Sequence, residues 1–242
     1  MENSQLTNGM VPDIAPEYTV FSGGYRDSPE WGSALVIGPW EAYRFYGDRT
    51  LLSNHYAAMK AYVNYLTTKS SGYLIGYGLG DWYGIDIAAT LRLVESAIYY
   101  YDAVIMQQVA TLLGTTADAT TWATLAANIK TAFNNAFFNA STNTYLTGNQ
   151  TCCGMPLALG LVPDNNKAGV LAKLVARVQS DNYRMQVGEI GFRFVLKALS
   201  DNNRSDVIAQ IASQTTSPSF GYLDNSGRTT LSESMSGDPA NS

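Results

Sequence analysis

DRTLLSNHYAAMKAYVNYLT, residues 48–67, decides the fold. Leu52, Tyr56, Met59, Val63 and Leu66 recur at intervals of four, three, four and three, which puts them on one face of an α-helix. Asp48 stands where an N-cap belongs, with a short carboxylate that can accept an N–H of the first turn. The pattern returns in LRLVESAIYYYDAVIMQQVATLL, residues 91–113, through Leu91, Val94, Ile98, Tyr101, Ile105, Val109 and Leu112. That run stops at Gly114, a residue suited to the left-handed C-cap. It returns again over 118–138 through Trp122, Leu125, Ile129, Phe133 and Phe137, and in shorter form over 33–46, 154–161, 167–179, 189–199 and 204–213. Strand signals are confined to 144–147 and 220–223. Turn clusters such as Gly47-Asp48 and Pro163-Asp164-Asn165-Asn166 punctuate the helices. No Pro/Ser linker or repeat divides the chain, so residues 1–242 read as one all-α domain of antiparallel helix hairpins laid side by side.

Composition narrows the function. The chain has 20 acidic against 15 basic residues, a net charge of -5, and no basic cluster, which argues against nucleic acid or an anionic membrane as partner. No apolar run approaches the roughly 18 residues a membrane span needs. The opening MENSQLTNGM has neither a basic n-region nor an apolar h-region, so no signal peptide is expected there, and nothing fixes a compartment. Only 14% of residues are charged, well under the roughly 25% of ordinary domains, and polarity comes instead from amides, hydroxyls and 16 tyrosines. Such a surface suits an uncharged polar ligand such as a sugar, although Tyr and Trp also fill helical cores.

Cysteine and histidine chemistry is nearly silent. Cys152 and Cys153 are adjacent, too close in sequence for an unstrained bridge, and read as free thiols. His55 reads as an ordinary residue of a helix surface. No metal-ligand spacing or phosphate loop occurs, so no metal or other cofactor is expected, and any chemistry rests on carboxylates.

Three segments could carry it. GMVPDIAPEYTVFSGGYRDSPEWGSA (9–34) sets Asp13, Glu17, Asp27 and Glu30 along a Pro- and Gly-bent path that ends at Trp31-Gly32, a helix start. An indole packs on the C–H face of a pyranose while carboxylates accept its hydroxyls. The alternative is capping carboxylates and a Trp that plugs the end of the helical array. SSGYLIGYGLGDWYGID (70–86) centres on Asp81-Trp82, an exposed acid beside an indole, again either a sugar subsite or a glycine-rich hairpin with a structural Trp. In SPSFGYLDNSGRTTLSESMSGD (217–238), Glu233 follows a polar turn and by itself reads as solvated surface. Glu95 and Glu189 read as helix-cap or pairing residues. Trp40 and Trp122 occupy apolar helical positions and read as core.

Together the segments resemble the catalytic domain of bacterial α-L-rhamnosidases, inverting glycoside hydrolases built on an (α/α)6 barrel of six helical hairpins. GMVPDIAPEY (9–18), RDSPEWGSA (26–34), YRFYGDRTLLSNHYAAMKAYVNYL (43–66), GYGLGDWY (76–83), AIYYYDA (97–103), LGLVPD (159–164) and PSFGYLDNSGRTTLSES (218–234) follow the family's order across nearly the whole chain. The resemblance implies that Trp31, in the W-G-x-A motif, and Trp82 line the subsite of the sugar that is removed. It implies that Asp81 hydrogen-bonds a rhamnose hydroxyl, and that Glu233 is the general base. The substrates implied are rhamnose-containing glycosides or polysaccharides.

The chain departs from the family pattern in three places. The family's general acid lies in an Asp-Glu-Arg-x-Gly-Trp stretch that does not occur in residues 1–242. Ser232 stands where the family usually has a Trp before its base. The chain ends at Ser242, ahead of a downstream Asn-His segment. About eight helical segments can be counted, fewer than a closed ring of six hairpins needs. The expectation is therefore an incomplete barrel, carrying the base side of a site whose other segments belong to the same parent domain. Two other readings stay open: a six-hairpin glycosidase of different sugar specificity, and a non-catalytic carbohydrate-binding or structural helical piece.

Overall fold

The computed structural model describes residues 1–84 and 86–229, and these fall into two compact units. The first comprises Met1–Leu79 with Leu91–Ala136; the second comprises Gly80–Thr90 with the chain from Phe137 onward.

In the first unit, α1 (Pro29–Gly32) leads into α2 (Ala34–Tyr46), which packs on α3 (Thr50–Lys69). The chain reverses between them at Gly47, whose φ of 72° is left-handed. Arg49 rather than Asp48 takes the N-cap position of α3. Asp48 still serves the first turn, because its Oδ1 accepts the Thr50 N–H at 2.8 Å and the Thr50 hydroxyl at 2.6 Å. The face expected from the sequence is the buried one: Leu52, Met59, Val63 and Leu66 are all fully buried, and Tyr62 and Tyr65 join them. Each apolar side chain so buried contributes about 1.5–3 kcal/mol. Tyr56 is half-buried at the edge, where its hydroxyl donates to Asp118 and accepts from the Trp122 indole. Trp122 is core, as read, and Trp40 packs half-buried against the same cluster. His55 lies on the outer side of α3, paired with Glu2.

The helix α4 (Ile87–Leu112) corrects the two-faced reading of 91–113. It starts earlier than expected, and residues 93–99 are buried on every side, including Glu95 and Ser96. A helix buried all round is central to its unit rather than a surface element. Its polar residues are accommodated individually: Ser96 Oγ accepts the Ile75 N–H at 3.0 Å, and Asp102 Oδ2 accepts the Ser33 hydroxyl at 2.5 Å. The next helix, α5 (Thr116–Phe137), buries Trp122, Ile129, Phe133 and Phe137 as its spacing predicts.

The second unit gathers around α6 (Gln150–Leu159), which packs against α7 (Lys167–Ser180) and α8 (Glu189–Asp201). A Cβ at Gly154 would stand 2.6 Å from Val195 Cγ2, so α6 and α8 meet backbone to side chain. Asn149 caps α6 by accepting the Cys152 N–H at 2.8 Å. Cys152 and Cys153 lie inside this helix, buried and unbridged. The two-residue strands β1 (Phe138–Asn139) and β2 (Thr144–Tyr145) pair antiparallel, with Phe138 opposite Tyr145. The short helices α9 (Ser205–Ala212) and α10 (Phe220–Asn225) follow α8. Here the second strand signal fails: 220–223 is helical, because Ser219 Oγ accepts the Tyr222 N–H at 3.0 Å and starts a turn. The described elements are mostly helical, as the periodicities of the sequence predict.

Candidate functional site

The loop from Gly9 to Trp31 is held by its own carboxylates. Asp13 accepts both the N–H and the hydroxyl of Ser28, at 2.9 and 2.6 Å, and so pins the start of the loop to the head of α1. Burial raises the Asp13 pKa above the ordinary carboxyl value. Glu17 grips Arg26 through two parallel bonds of 2.6 and 3.1 Å, and that guanidinium lowers the Glu17 pKa. Asp27 accepts the Tyr65 hydroxyl at 2.5 Å and faces Lys69 Nζ at 3.4 Å. Glu30 is only 8% exposed, and its Oε1 accepts the Leu79 N–H at 2.6 Å. Trp31 lies within α1, directly after Glu30, and stays partly exposed.

Glu30 therefore ties Trp31's helix to the loop at Tyr77–Leu79. Gly78, with φ of 132°, shows how closely: a Cβ there would lie 2.3 Å from Glu95 Oε1 and 2.8 Å from Glu30 Oε2. Only a glycine backbone threads between those two carboxyl groups. Glu95 is fully buried in mid-helix, away from either end of α4, which corrects the cap reading of its position. Asp102, which the sequence reading passed over, is buried about two turns further along α4. Both sit beside polar residues, Glu95 next to Ser96 and Asp102 after three tyrosines, so the local sequence reads as a polar face. Desolvation, with Asp27, Glu95 and Glu30 nearby, raises the Tyr77 pKa, so this phenol stays protonated.

The second unit holds Asp81 and Trp82. Asp81 is 1% exposed, which corrects the expectation of an exposed acid. Its Oδ2 accepts the Thr151 hydroxyl at 2.5 Å and the Gly188 N–H at 3.0 Å, while Oδ1 accepts the Gly191 N–H at 2.7 Å. The physical reason is the pair of glycines at the head of α8. A Cβ at Gly188 would stand 2.0 Å from Trp82 O, and one at Gly191 would stand 2.7 Å from Asp81 Oδ2. Without Cβ atoms, two main-chain donors converge on an acceptor-only group. Trp82 is fixed through its backbone, whose carbonyl accepts the Glu189 N–H at 2.9 Å, and its half-buried ring meets Tyr83 edge-on at 5.3 Å. Glu189 itself is exposed in the first turn of α8, where an acid favours the helix dipole.

Glu233, the expected general base, lies outside the described residues. Among the described residues, no group of three His, Cys, Asp or Glu side chains is placed to hold a metal ion, and no helix is long and apolar enough to cross a membrane.

Over residues 1–242 the chain matches the family described as the bacterial alpha-L-rhamnosidase 6 hairpin glycosidase domain. It is similar to an alpha-L-rhamnosidase of Streptomyces avermitilis, 30% identical over 234 residues, covering 96% of this chain and 22% of that protein. An alpha-L-rhamnosidase of Formosa agariphila is 26% identical over 241 residues, covering 96% of this chain and 26% of the relative. The chain thus spans about a quarter of the length of these relatives. The solved structure of alpha-L-rhamnosidase from Dictyoglumus thermophilum superposes with a TM-score of 0.89 at 30% identity, over 96% of this chain and 27% of that one. The Streptomyces avermitilis enzyme, solved in complex with L-rhamnose, superposes with a TM-score of 0.88 at 28% identity, over 96% of this chain and 22% of that one.

Proposed function

The chain belongs to the bacterial alpha-L-rhamnosidase six-hairpin glycosidase family, and from that membership we propose that the protein carrying it removes terminal α-L-rhamnose from rhamnose-containing glycosides or polysaccharides by inversion. The observation that carries this reading is the family match along all of residues 1–242, joined to a solved relative whose ligand is L-rhamnose.

In this reading the indoles of Trp31 and Trp82 lie against the C–H faces of the rhamnose, an apolar contact that a neutral sugar accepts. Asp81 acts on the sugar through the loop it anchors: its carboxylate is taken up by Thr151, Gly188 and Gly191, and the loop it fixes presents Trp82. Glu233 is the general base. As a carboxylate it takes a proton from a water that attacks the anomeric carbon on the face opposite the leaving oxygen. A carboxylic acid about 6.5–9.5 Å away protonates that oxygen, and the two groups need environments that keep one ionised and the other protonated. The acid comes from outside residues 1–242, so these residues alone do not turn over substrate.

The test uses the complete protein and p-nitrophenyl α-L-rhamnoside. Glu233→Gln is expected to lose about 100-fold or more in kcat, and retained activity removes Glu233 from the base role. Proton NMR of the first-formed sugar is expected to show β-L-rhamnose; the α anomer appearing first would overturn inversion. Activity on other aryl glycosides with none on the rhamnoside would favour a six-hairpin glycosidase of different specificity. Turnover by residues 1–242 alone would overturn the assignment of the acid to another segment.

A further inference from the structure

Beside the loop that leads to Trp31, the first unit contains a groove of about 520 Å³ lined by Phe21, Arg26, Asp27, Tyr65, Lys69 and Tyr77. Its volume falls within the roughly 300–1,000 Å³ of sites that hold small molecules. The groove exists because two loops approach backbone to backbone: a Cβ at Gly24 would stand 2.6 Å from Gly78 O.

The charges of its walls cancel. Arg26 is committed to Glu17 through two bonds, and Asp27 is committed to Tyr65 and Lys69. Two cations meet two carboxylates, so the walls offer no net attraction to a phosphate, a sulfate or an ammonium group. What remains is hydrogen bonding beside aromatic surface. Lys69 Nζ stands 4.7 Å above the Tyr77 ring, with its side chain 42% exposed. Phe21 is 48% exposed at the lip, and Tyr18 and Tyr25 on the same segment are more exposed still. Donors, an acceptor and bare aromatic faces around a neutral space match a ring with hydroxyls at its edge and C–H bonds on its face.

We propose that this groove holds a neutral sugar ring of the substrate other than the rhamnose that is removed. The proposal rests on the rhamnosidase reading and deepens it: the substrates are rhamnosyl oligosaccharides rather than isolated rhamnosides. Phe21 supplies the stacking face, and Lys69 and Asp27 hold hydroxyl groups at the rim.

The test compares kcat/KM of the complete protein on rutinose, a rhamnosyl-glucose disaccharide, with kcat/KM on p-nitrophenyl α-L-rhamnoside. Phe21→Ala and Lys69→Met alter exposed side chains, and a melting curve checks that both variants fold. The rutinose-to-aryl ratio is expected to fall at least fivefold in each. A ratio equal to that of the unsubstituted protein overturns the groove while leaving the rhamnosidase reading intact. Saturation-transfer NMR with rutinose makes the same test without turnover. If no rhamnoside is hydrolysed, the rhamnosidase reading fails on its own. Transfer to the glucose protons that is lost in Phe21→Ala then still supports the groove, and transfer that is unaltered overturns it.

Discussion

Asp81 Oδ1 accepts the N–H of Gly191 at 2.7 Å across 110 residues of chain, and that bond makes the loop bearing Trp82 part of the second unit's interior. With Gly188 N–H and the Thr151 hydroxyl on the other oxygen, three buried donors converge on one side chain. Asp81→Asn keeps the volume but turns an N–H₂ toward one set of donors. A buried donor left unsatisfied costs about 1–3 kcal/mol, and more where the lost acceptor was charged. The urea midpoint is expected to fall accordingly, and amide exchange at Gly188 and Gly191 to accelerate. Unchanged exchange at both amides would contradict the anchoring role.

Two glycines should respond very differently to the same methyl group. At Gly188 a Cβ would be 2.0 Å from Trp82 O and 2.4 Å from Asp81 O, both backbone atoms that cannot move aside independently. At Gly38, inside α2, nothing beyond its chain neighbours lies within 4 Å of the Cβ position, and the residue that follows is Pro39. Gly38→Ala is expected to change stability by less than about 1 kcal/mol, because the helix-interior gain of Ala over Gly is opposed by crowding of the new Cβ against the Pro39 ring. Gly188→Ala is expected to destabilise by about 2 kcal/mol or more, as overpacking against fixed atoms does. Thermal melting of the two variants side by side is sufficient; an equal loss at both positions would refute the contact geometry.

The difference between these positions also marks how far the sequence could be read. The face of α3 was legible because Leu52, Met59, Val63 and Leu66 obey one period and are buried together. The burial of α4 on every side was not, since Tyr, Glu and Asp in LVESAIYYYDA look like a solvent face until Ser33 and Gly78 are seen to meet them. The helix at 220–223 hid behind Tyr and Phe, residues common in strands, because its cause is a single Ser219 hydroxyl. Trp31 and Trp82 were legible as half-exposed indoles beside acids. Asp81 as a buried anchor was not: its donors come from Thr151, Gly188 and Gly191, which no local pattern links to residue 81.

The paired cysteines give a prediction about reactivity. Burial pushes the Cys152 thiol up to about 12 and the Cys153 thiol up to about 11, so neither presents thiolate near neutral pH. Ellman's reagent at pH 8 is expected to react with neither in the native protein, and with both once urea unfolds it. Rapid labelling of a thiol before unfolding would place that side chain outside the core of α6.

Asp206 gives the pH dependence a sign. Its bond to Arg204, 2.7 Å from Nη2 to Oδ2, lowers its pKa from the ordinary 3.8 to about 2. A folded-state pKa below the unfolded one stabilises at pH values above the unfolded pKa, and the contribution fades as pH falls through the folded pKa. Asp206→Asn should therefore be less stable than the parent at pH 7 by a small margin, the pair being exposed. That margin should close between about pH 4 and pH 2, and 1 M salt should shrink it at neutral pH. Denaturant midpoints at pH 7 and pH 2.5 measure it, and a gap that widens in acid would reverse the assignment.

Trp82 separates anchoring from recognition, because the two tasks use different atoms. Its carbonyl oxygen holds the Glu189 N–H at 2.9 Å, a bond that any residue at this position retains. Its half-buried ring meets Tyr83 edge-on, with centroids 5.3 Å apart. Trp82→Ala therefore leaves the backbone anchor in place and removes the surface proposed to face the sugar. Loss of an aromatic stacking face is expected to cost about 0.5–1.5 kcal/mol, roughly 2–12-fold in the Kd for L-rhamnose. Titration calorimetry gives that ratio, and scanning calorimetry on the same samples gives the melting temperature. Weaker binding with a melting temperature within a few degrees of the parent supports a ring that meets the ligand. Unaltered affinity with a lower melting temperature would make the ring a packing element.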